Sequence, residues 1–173
     1  MNVLATLGDH WFVVLVWGLV ASAAMATLLE GVQLLGFSRM SLPFLFGAFL
    51  SQSRRKAIII GYGLYLAGGW AFAFVYAILF ESAHFAGWWF GPLVGMAHGL
   101  FLIAVFLPLL PFVHPRLATD YDGPDAISRL EPPGRFGLNY GRATPATTVL
   151  AQTLYGLIFG LGYQAATGGF AHV

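Results

Sequence analysis

Cysteine is absent from the 173 residues, which removes thiolate chemistry, iron–sulfur ligation and disulfides while leaving the redox compartment open. Charge is nearly as scarce. Charged residues make up 9% of the chain and hydrophobic ones 58%, whereas a water-soluble domain carries about 25% charged residues. With a mean hydropathy of +0.77, this composition excludes an ordinary soluble domain and predicts an integral membrane protein. The net charge of +1 says nothing about partners, and nothing indicates nucleic acid. No lysine or arginine occurs between Met1 and His10, so the opening segment does not read as a secretory signal with a basic start. Also missing are a phosphate-binding glycine loop, a nucleophile elbow and a zincin motif. Asp120, Asp122, Asp125 and Glu131 lack the fixed run of oxygen ligands that a Ca²⁺ loop requires. Catalysis is therefore not the leading expectation.

Apolar runs dominate what remains. A span needs about 20 residues, and four stretches qualify, at about 11–37, 57–80, 91–112 and 147–166. The expected architecture is an all-α four-transmembrane-helix bundle forming a single membrane domain over 1–173. Residues 38–56 and 113–146 are its two loops on one side. Arg39, Ser41 and Pro43 break the first run, and Leu42–Leu50 is too short to cross, so it reads as an interfacial segment. The third run should end near Pro108 and Pro111, because proline lacks the N–H and disfavours helix before it. Trp88 and Trp89 suit an interfacial aromatic belt.

Orientation follows from charge. All eight basic side chains fall in those two loops, and the positive-inside rule then puts both loops in the cytoplasm and both termini outside.

Gly87, Gly91, Gly95 and Gly99 recur every fourth residue and make a nearly side-chain-free stripe on a helix. In a bilayer, close approach of backbones substitutes for a hydrophobic drive. Gly156 and Gly160 supply a similar face on the fourth span. The stripe serves internal packing or homodimerisation.

Two ionisable groups lie inside spans, Glu30 and His98. Such groups are expensive, face the bundle interior and point to function by default. They fit a proton relay, a polar ligand site or an axial ligand for haem or pigment. The competing account is a structural hydrogen bond clamping two spans together. Setting Glu30 onto His98 also aligns Leu42-Pro43-Phe44 with Leu110-Pro111-Phe112, and Gly69, Phe72 and Tyr76 fall on Gly156, Phe159 and Tyr163. That alignment describes two parallel αα repeats with Glu30 and His98 at equal depth. Chance coincidence of abundant Gly and Phe is the competing account.

Asp9, His10, Glu81, His84 and His172 fall on the outer side. Glu81 and His84, three apart, share one face of a helix end, and imidazoles with carboxylates suit Zn, Cu or non-haem Fe. Ordinary solvated head-group residues would look the same. The polar stretch from His114 to Pro145 has no helical or alternating period and reads as a structured surface loop. Its Arg116, Arg129, Arg135, Tyr140 and Arg142 suit a docking surface, although a proline-braced cap over the helix ends is the simpler reading.

The combination of His98-Gly99, Leu107-Pro108-Leu109-Leu110-Pro111, His114-Pro115-Arg116, Glu131-Pro132-Pro133-Gly134 and Arg142-Ala143-Thr144-Pro145 resembles a group of small, uncharacterised bacterial inner-membrane proteins with four spans. The likeness implies location and architecture only. The leading functional expectation is a non-catalytic small subunit that packs against larger membrane proteins, beside pigments, quinones or lipids. Its partners would then be the bilayer and larger integral subunits or a second copy, and no cofactor is required. A dimeric transporter or proton-coupled channel using Glu30 and His98 is the first alternative. A haem- or metal-binding redox protein is the second.

Overall fold

Uninterrupted apolar sequence becomes long helix. The computed structural model describes residues 3–119, 123, 124, 127 and 130–168, and helix is the only regular element among them. Helix α1 (Val3–Leu34) contains no proline and ends where Gly36 turns to a φ of +77°. Helix α2 (Leu42–Ala48) is opened by Ser41, whose hydroxyl accepts from the Phe44 N–H, with Pro43 in the first turn. Helix α3 (Arg54–Ala83) stops at His84, which adopts the left-handed conformation. Helix α6 (Thr144–Thr167) is opened by Pro145 and stopped by Gly168.

The third run is one continuous helical rod made of α4 (Phe90–Phe101), a π turn (Leu102–Phe106) and α5 (Leu107–Val113). It runs through Pro108 and Pro111 and ends at Val113, one residue past the expected bound and just before His114. A proline removes one backbone hydrogen bond and crowds the carbonyl four residues earlier. The wider π turn immediately before Pro108 is the irregularity that accommodates this within the rod.

Three stretches, Thr6–Leu34, Arg54–Ala83 and Phe90–Val113, are long and apolar enough to cross a membrane. Helix α6, at 24 residues, reaches about 36 Å but carries Gln152, Gln164 and several threonines. It packs mainly on α4 and α1, so much of that polarity is sheltered by protein. The fold is thus compatible with an α-helical membrane protein.

Neighbouring long helices run antiparallel. Tyr62 meets Glu30, and the Trp70 Nε1–H donates to the Leu15 carbonyl at 3.0 Å, pairing α1 with α3. Gly91 faces Gly156 and Gly160 while Gly99 faces Val149, pairing α4 with α6. Buried Tyr76, Phe80, Tyr155, Phe159 and Tyr163 stack at ring separations of 5.3–6.2 Å in the centre. The segment after α1 is not a strip lying free at a surface. Five of the seven α2 residues are buried, and the helix runs antiparallel to the first turns of α3, with Gly47 against Ala57 and Gly61 against Pro43. Only glycines allow that approach, since a Cβ on either would overlap a carbonyl.

Both loops gather at one end and interlock. Ser38 and Thr144 hydroxyls lie 2.8 Å apart, the Arg39 N–H donates to the Tyr140 carbonyl at 2.7 Å, and the Arg39 guanidinium bonds Asn139 and Glu131. Exposed Trp11, Phe12, Phe85, Trp88 and Trp89 ring the opposite end, where amphipathic aromatics suit a membrane–water boundary.

Candidate functional site

The glycines of α4 and α6 form one seam. A Cβ on Gly91 would overlap the Gly156 carbonyl, one on Gly156 would overlap the Gly91 carbonyl, and one on Gly95 would overlap that of Gln152. Gly99 sits on Val149, and Gly160 on Gly87 and Gly91. Gly87 has a φ of +100° and lies against the Gln164 side chain. The six glycines of the two stripes are therefore brought together within one chain, backbone against backbone.

Glu30 and His98 are not brought together. Glu30 accepts a hydrogen bond from the Tyr62 hydroxyl, whereas His98 Nδ1 lies 3.2 Å from the Tyr76 hydroxyl. Those two tyrosines stand fourteen residues apart on α3, about 21 Å along a helix axis. A polar pair at equal depth is thus corrected to two separate tyrosine-anchored groups. Glu30 sits one turn from the end of α1, and His98 sits in the opposite half of the bundle.

His98 lies on a cleft. Helices α3 and α4 share almost no backbone contact, and the gap between them is floored by Gln152 and Tyr155 of α6 and by Met25 of α1. Tyr65, Gly68, Gly69 and Phe72 line its α3 wall, while His98, Leu102 and Phe106 line the other. The cavity is about 80 Å³ and overwhelmingly apolar. Side chains bridge it at each end. Phe72 covers His98 at a ring separation of 4.1 Å, and Phe46 touches both Tyr65 and Phe106. The π turn runs from Leu102 to Phe106, so both of its ends face this cleft; π turns recur at functional sites.

Polar groups on these walls are left without partners. His98 Nε2 and the Tyr65 hydroxyl are buried and make no hydrogen bond among the described residues. The unbonded Ser22 hydroxyl lies behind Gly69. Gln152, 5% exposed, also lines the cleft. Each buried unsatisfied group costs about 1–3 kcal/mol, so several in one place ask for a cause. Tyr62, Tyr65 and Gln152 were not singled out from sequence, and Phe72 and Tyr76 entered only through the repeat alignment. A glutamine inside a predicted span was the available signal, because an intramembrane amide carries the same burden of satisfaction as an ionisable group.

The outer group does not assemble as a metal centre among the described residues, which contain no cluster of three or more candidate ligands. Glu81 is 2% exposed and accepts from the Tyr163 hydroxyl at 2.6 Å. His84 has left the helix in a left-handed conformation, so the two do not share a helical face. His10 contacts the Tyr163 ring edge-on at 6.1 Å. His172 lies outside the described residues.

The loop residues divide. Arg116 donates to the Ala48 carbonyl, and the buried Tyr140 hydroxyl donates to the Glu131 carbonyl at 2.7 Å. Both hold the cap together instead of facing outward for docking. Arg135 and Arg142 are exposed, and Arg129, like Asp120, Asp122 and Asp125, lies outside the described residues. His114, expected only as the start of the surface loop, is 3% exposed and joins the loops. Its Nε2 bonds the Leu45 carbonyl at 3.0 Å, while Nδ1 accepts from the N–H groups of Arg116 and Leu117. That arrangement requires the neutral ring. Burial first, then the Arg116 charge, push its pKa below the ordinary histidine value, against the opposing effect of the Leu45 bond.

No protein-family model, curated protein or solved structure matches the chain.

Proposed function

We propose that this chain is a four-span integral protein of the bacterial inner membrane that acts as a small non-catalytic subunit, packing against and stabilising a larger membrane protein complex. The observation that carries this reading is the braced cap. Residues Arg135–Tyr140 form a short 3₁₀ segment kinked at Phe136 and Gly137, where Phe136 holds a φ of +56°, a conformation that costs a non-glycine residue energy and persists only where its surroundings impose it. The cap presents Phe136 and Leu138, 47% and 48% exposed, between Arg135 and Arg142. Aromatic and arginine side chains on a rigid base are the usual anchors of protein interfaces.

The topology is argued from charge. Of the eight basic residues, every one except the undescribed Arg129 lies in the interlocked loops or in the first turn of α3, at one end of the bundle. That asymmetry supports cytoplasmic loops and outer termini. Helix α6 completes the fourth span in this reading because Thr144, Thr148 and Gln152 are buried inside the bundle and the exposed Gln164 lies in its last turn.

The test is a mild-detergent pull-down of the tagged chain from its native membranes, with identification of what accompanies it. A stoichiometric larger membrane protein is expected, and the paired change Arg135→Glu with Phe136→Asp should release it while leaving helicity intact. Recovery of a free monomer would count against the reading.

The proton-coupled channel has one observation in its favour, since Tyr65 lines both the cleft beside His98 and the small cavity beside Glu30. Proton flux into proteoliposomes that is lost in both Glu30→Ala and His98→Ala would support it, and flux unchanged by either would end it.

A further inference from the structure

We propose that the turn between α2 and α3 holds the phosphate of an anionic phospholipid, at the surface where the basic loops meet the bilayer. The inference goes beyond the subunit reading and holds whether or not the chain has a protein partner. What carries it is a cavity lined by two arginines from distant parts of the chain.

That cavity is about 440 Å³, within the ~300–1,000 Å³ range of small-molecule sites. Arg54, the first residue of α3, and Arg116, just past α5, both line it, with Ser51 and Gln52 beside them. Arg116 is fixed at three points. Its N–H donates to His114 Nδ1 at 3.1 Å, its carbonyl accepts from the Leu130 N–H at 2.9 Å, and its guanidinium donates to the Ala48 carbonyl. A guanidinium has five N–H donors, so the bond to Ala48 uses one prong of the fork. Arg54 is exposed, and among the described residues no carboxylate lines the cavity. Ser53 gives α3 no side-chain cap, so the first N–H groups of this 30-residue helix add positive potential at the same turn.

Two guanidinium groups call for an anion with several acceptor oxygens, and a phosphate accepts such paired N–H bonds. That the phosphate belongs to a lipid follows from the other wall and from depth. Phe44, Ala48 and Leu130 supply an apolar side, which a soluble phosphate would leave unused and a glycerol backbone with its first methylenes would cover. Leu50 in the turn and Ile127 on the rim are each 66% exposed. Arg54 also opens the stretch Arg54–Ala83, which is long and apolar enough to cross a membrane, so the cavity stands at the level of lipid headgroups. Arg55 and Lys56 extend the positive charge and disfavour a headgroup that carries its own cation. Basic segments beside a span attract anionic lipids for this reason.

The experiment titrates the full chain, purified in neutral detergent, with short-chain phosphatidylglycerol and counts bound lipid by native mass spectrometry. One tightly held lipid per chain is expected, with phosphatidylcholine bound about tenfold more weakly. Arg54→Gln should weaken phosphatidylglycerol binding about tenfold, the scale of one charge-assisted hydrogen bond. Arg55→Gln removes the same charge one residue away, outside the cavity lining, and should have a much smaller effect. Equal losses in the two variants would overturn the proposal, because the lipid would then be reading net charge alone. So would unchanged affinity in Arg54→Gln, a surface position whose replacement leaves the fold in place. Inorganic phosphate that displaces the lipid at a similar concentration would overturn the lipid assignment and make the ligand a soluble phosphate.

Discussion

Helix α4 faces two neighbours in opposite ways. Toward α6 it presents Gly91, Gly95 and Gly99, and the two backbones touch with no room for a methyl group. Toward α3 it presents His98 and the π turn, and the backbones stand apart around a cavity with unsatisfied polar groups. The seam is close-packed and complete; the cleft is loose and incomplete. Without a hydrophobic drive between spans, bundle stability comes from packing and interhelical hydrogen bonds. A protein that concentrates its packing on one seam can leave another gap open without losing the fold. Close packing and open space are thereby separated onto two sides of one helix.

That separation can be broken at the seam with the largest effect. Gly95→Leu would drive a side chain into the Gln152 carbonyl and the Thr153 backbone. A loss of about 3 kcal/mol or outright misfolding is expected, at the upper end of overpacking costs, measured by unfolding in mixed micelles. The interlocked loops offer a second comparison, sensitive to acid. His114 is buried neutral with a lowered pKa, so the unfolded chain takes up a proton at higher pH than the folded one does. Its contribution is present above about pH 6.5 and is lost as pH falls from there toward the folded value. The unfolding midpoint should therefore drop between pH 7 and pH 5, and His114→Gln should flatten that dependence.

At the cleft the same kind of substitution should act in the opposite direction. Tyr65→Phe removes a buried hydroxyl with no partner among the described residues, so the protein should gain about 1 kcal/mol, seen as a higher unfolding midpoint. A destabilised variant would mean that the hydroxyl is satisfied and the cleft complete. Gly68→Leu should change stability least, within ~0.5 kcal/mol, because a Cβ there meets nothing within 4 Å. The contrast between Gly95→Leu and Gly68→Leu, one residue type and one replacement in two environments, is the sharpest form of the comparison.

Much of the helical layout was legible in the chain. Long apolar runs can satisfy their backbone groups in lipid only as helices, so α1, α3 and the α4–α5 rod follow from hydropathy and length. The observed bounds, Val3–Leu34, Arg54–Ala83 and Phe90–Val113, extend the expected spans by one to three residues, except that α1 starts eight residues earlier and ends three residues sooner. A four-residue glycine spacing also marks a face built for contact. Hydropathy failed where the environment was protein instead of lipid. Leu42–Ala48 was too short to cross and was expected at a surface, yet it lies buried along α3 because Gly47 and Gly61 admit its backbone.

The site was less legible. Glu30 and His98 stand out because both are costly in a span, but cost does not specify a partner. Tyr62 and Tyr76 claim them separately, and no periodicity in the chain encodes that choice. Glu81 and His84 show the same limit, since a left-handed residue at the helix end separates two side chains that regular spacing would align.

Sequence alone therefore determined which segments become helices, which residues are expensive to bury and which face of α4 can come close to another backbone. These are local properties of composition and period. Which helix fills the glycine face, how far apart α3 and α4 stand, and which polar atoms are left without partners were decided only by tertiary structure. Each depends on the position of every other helix in the bundle, and no short stretch of chain carries that information.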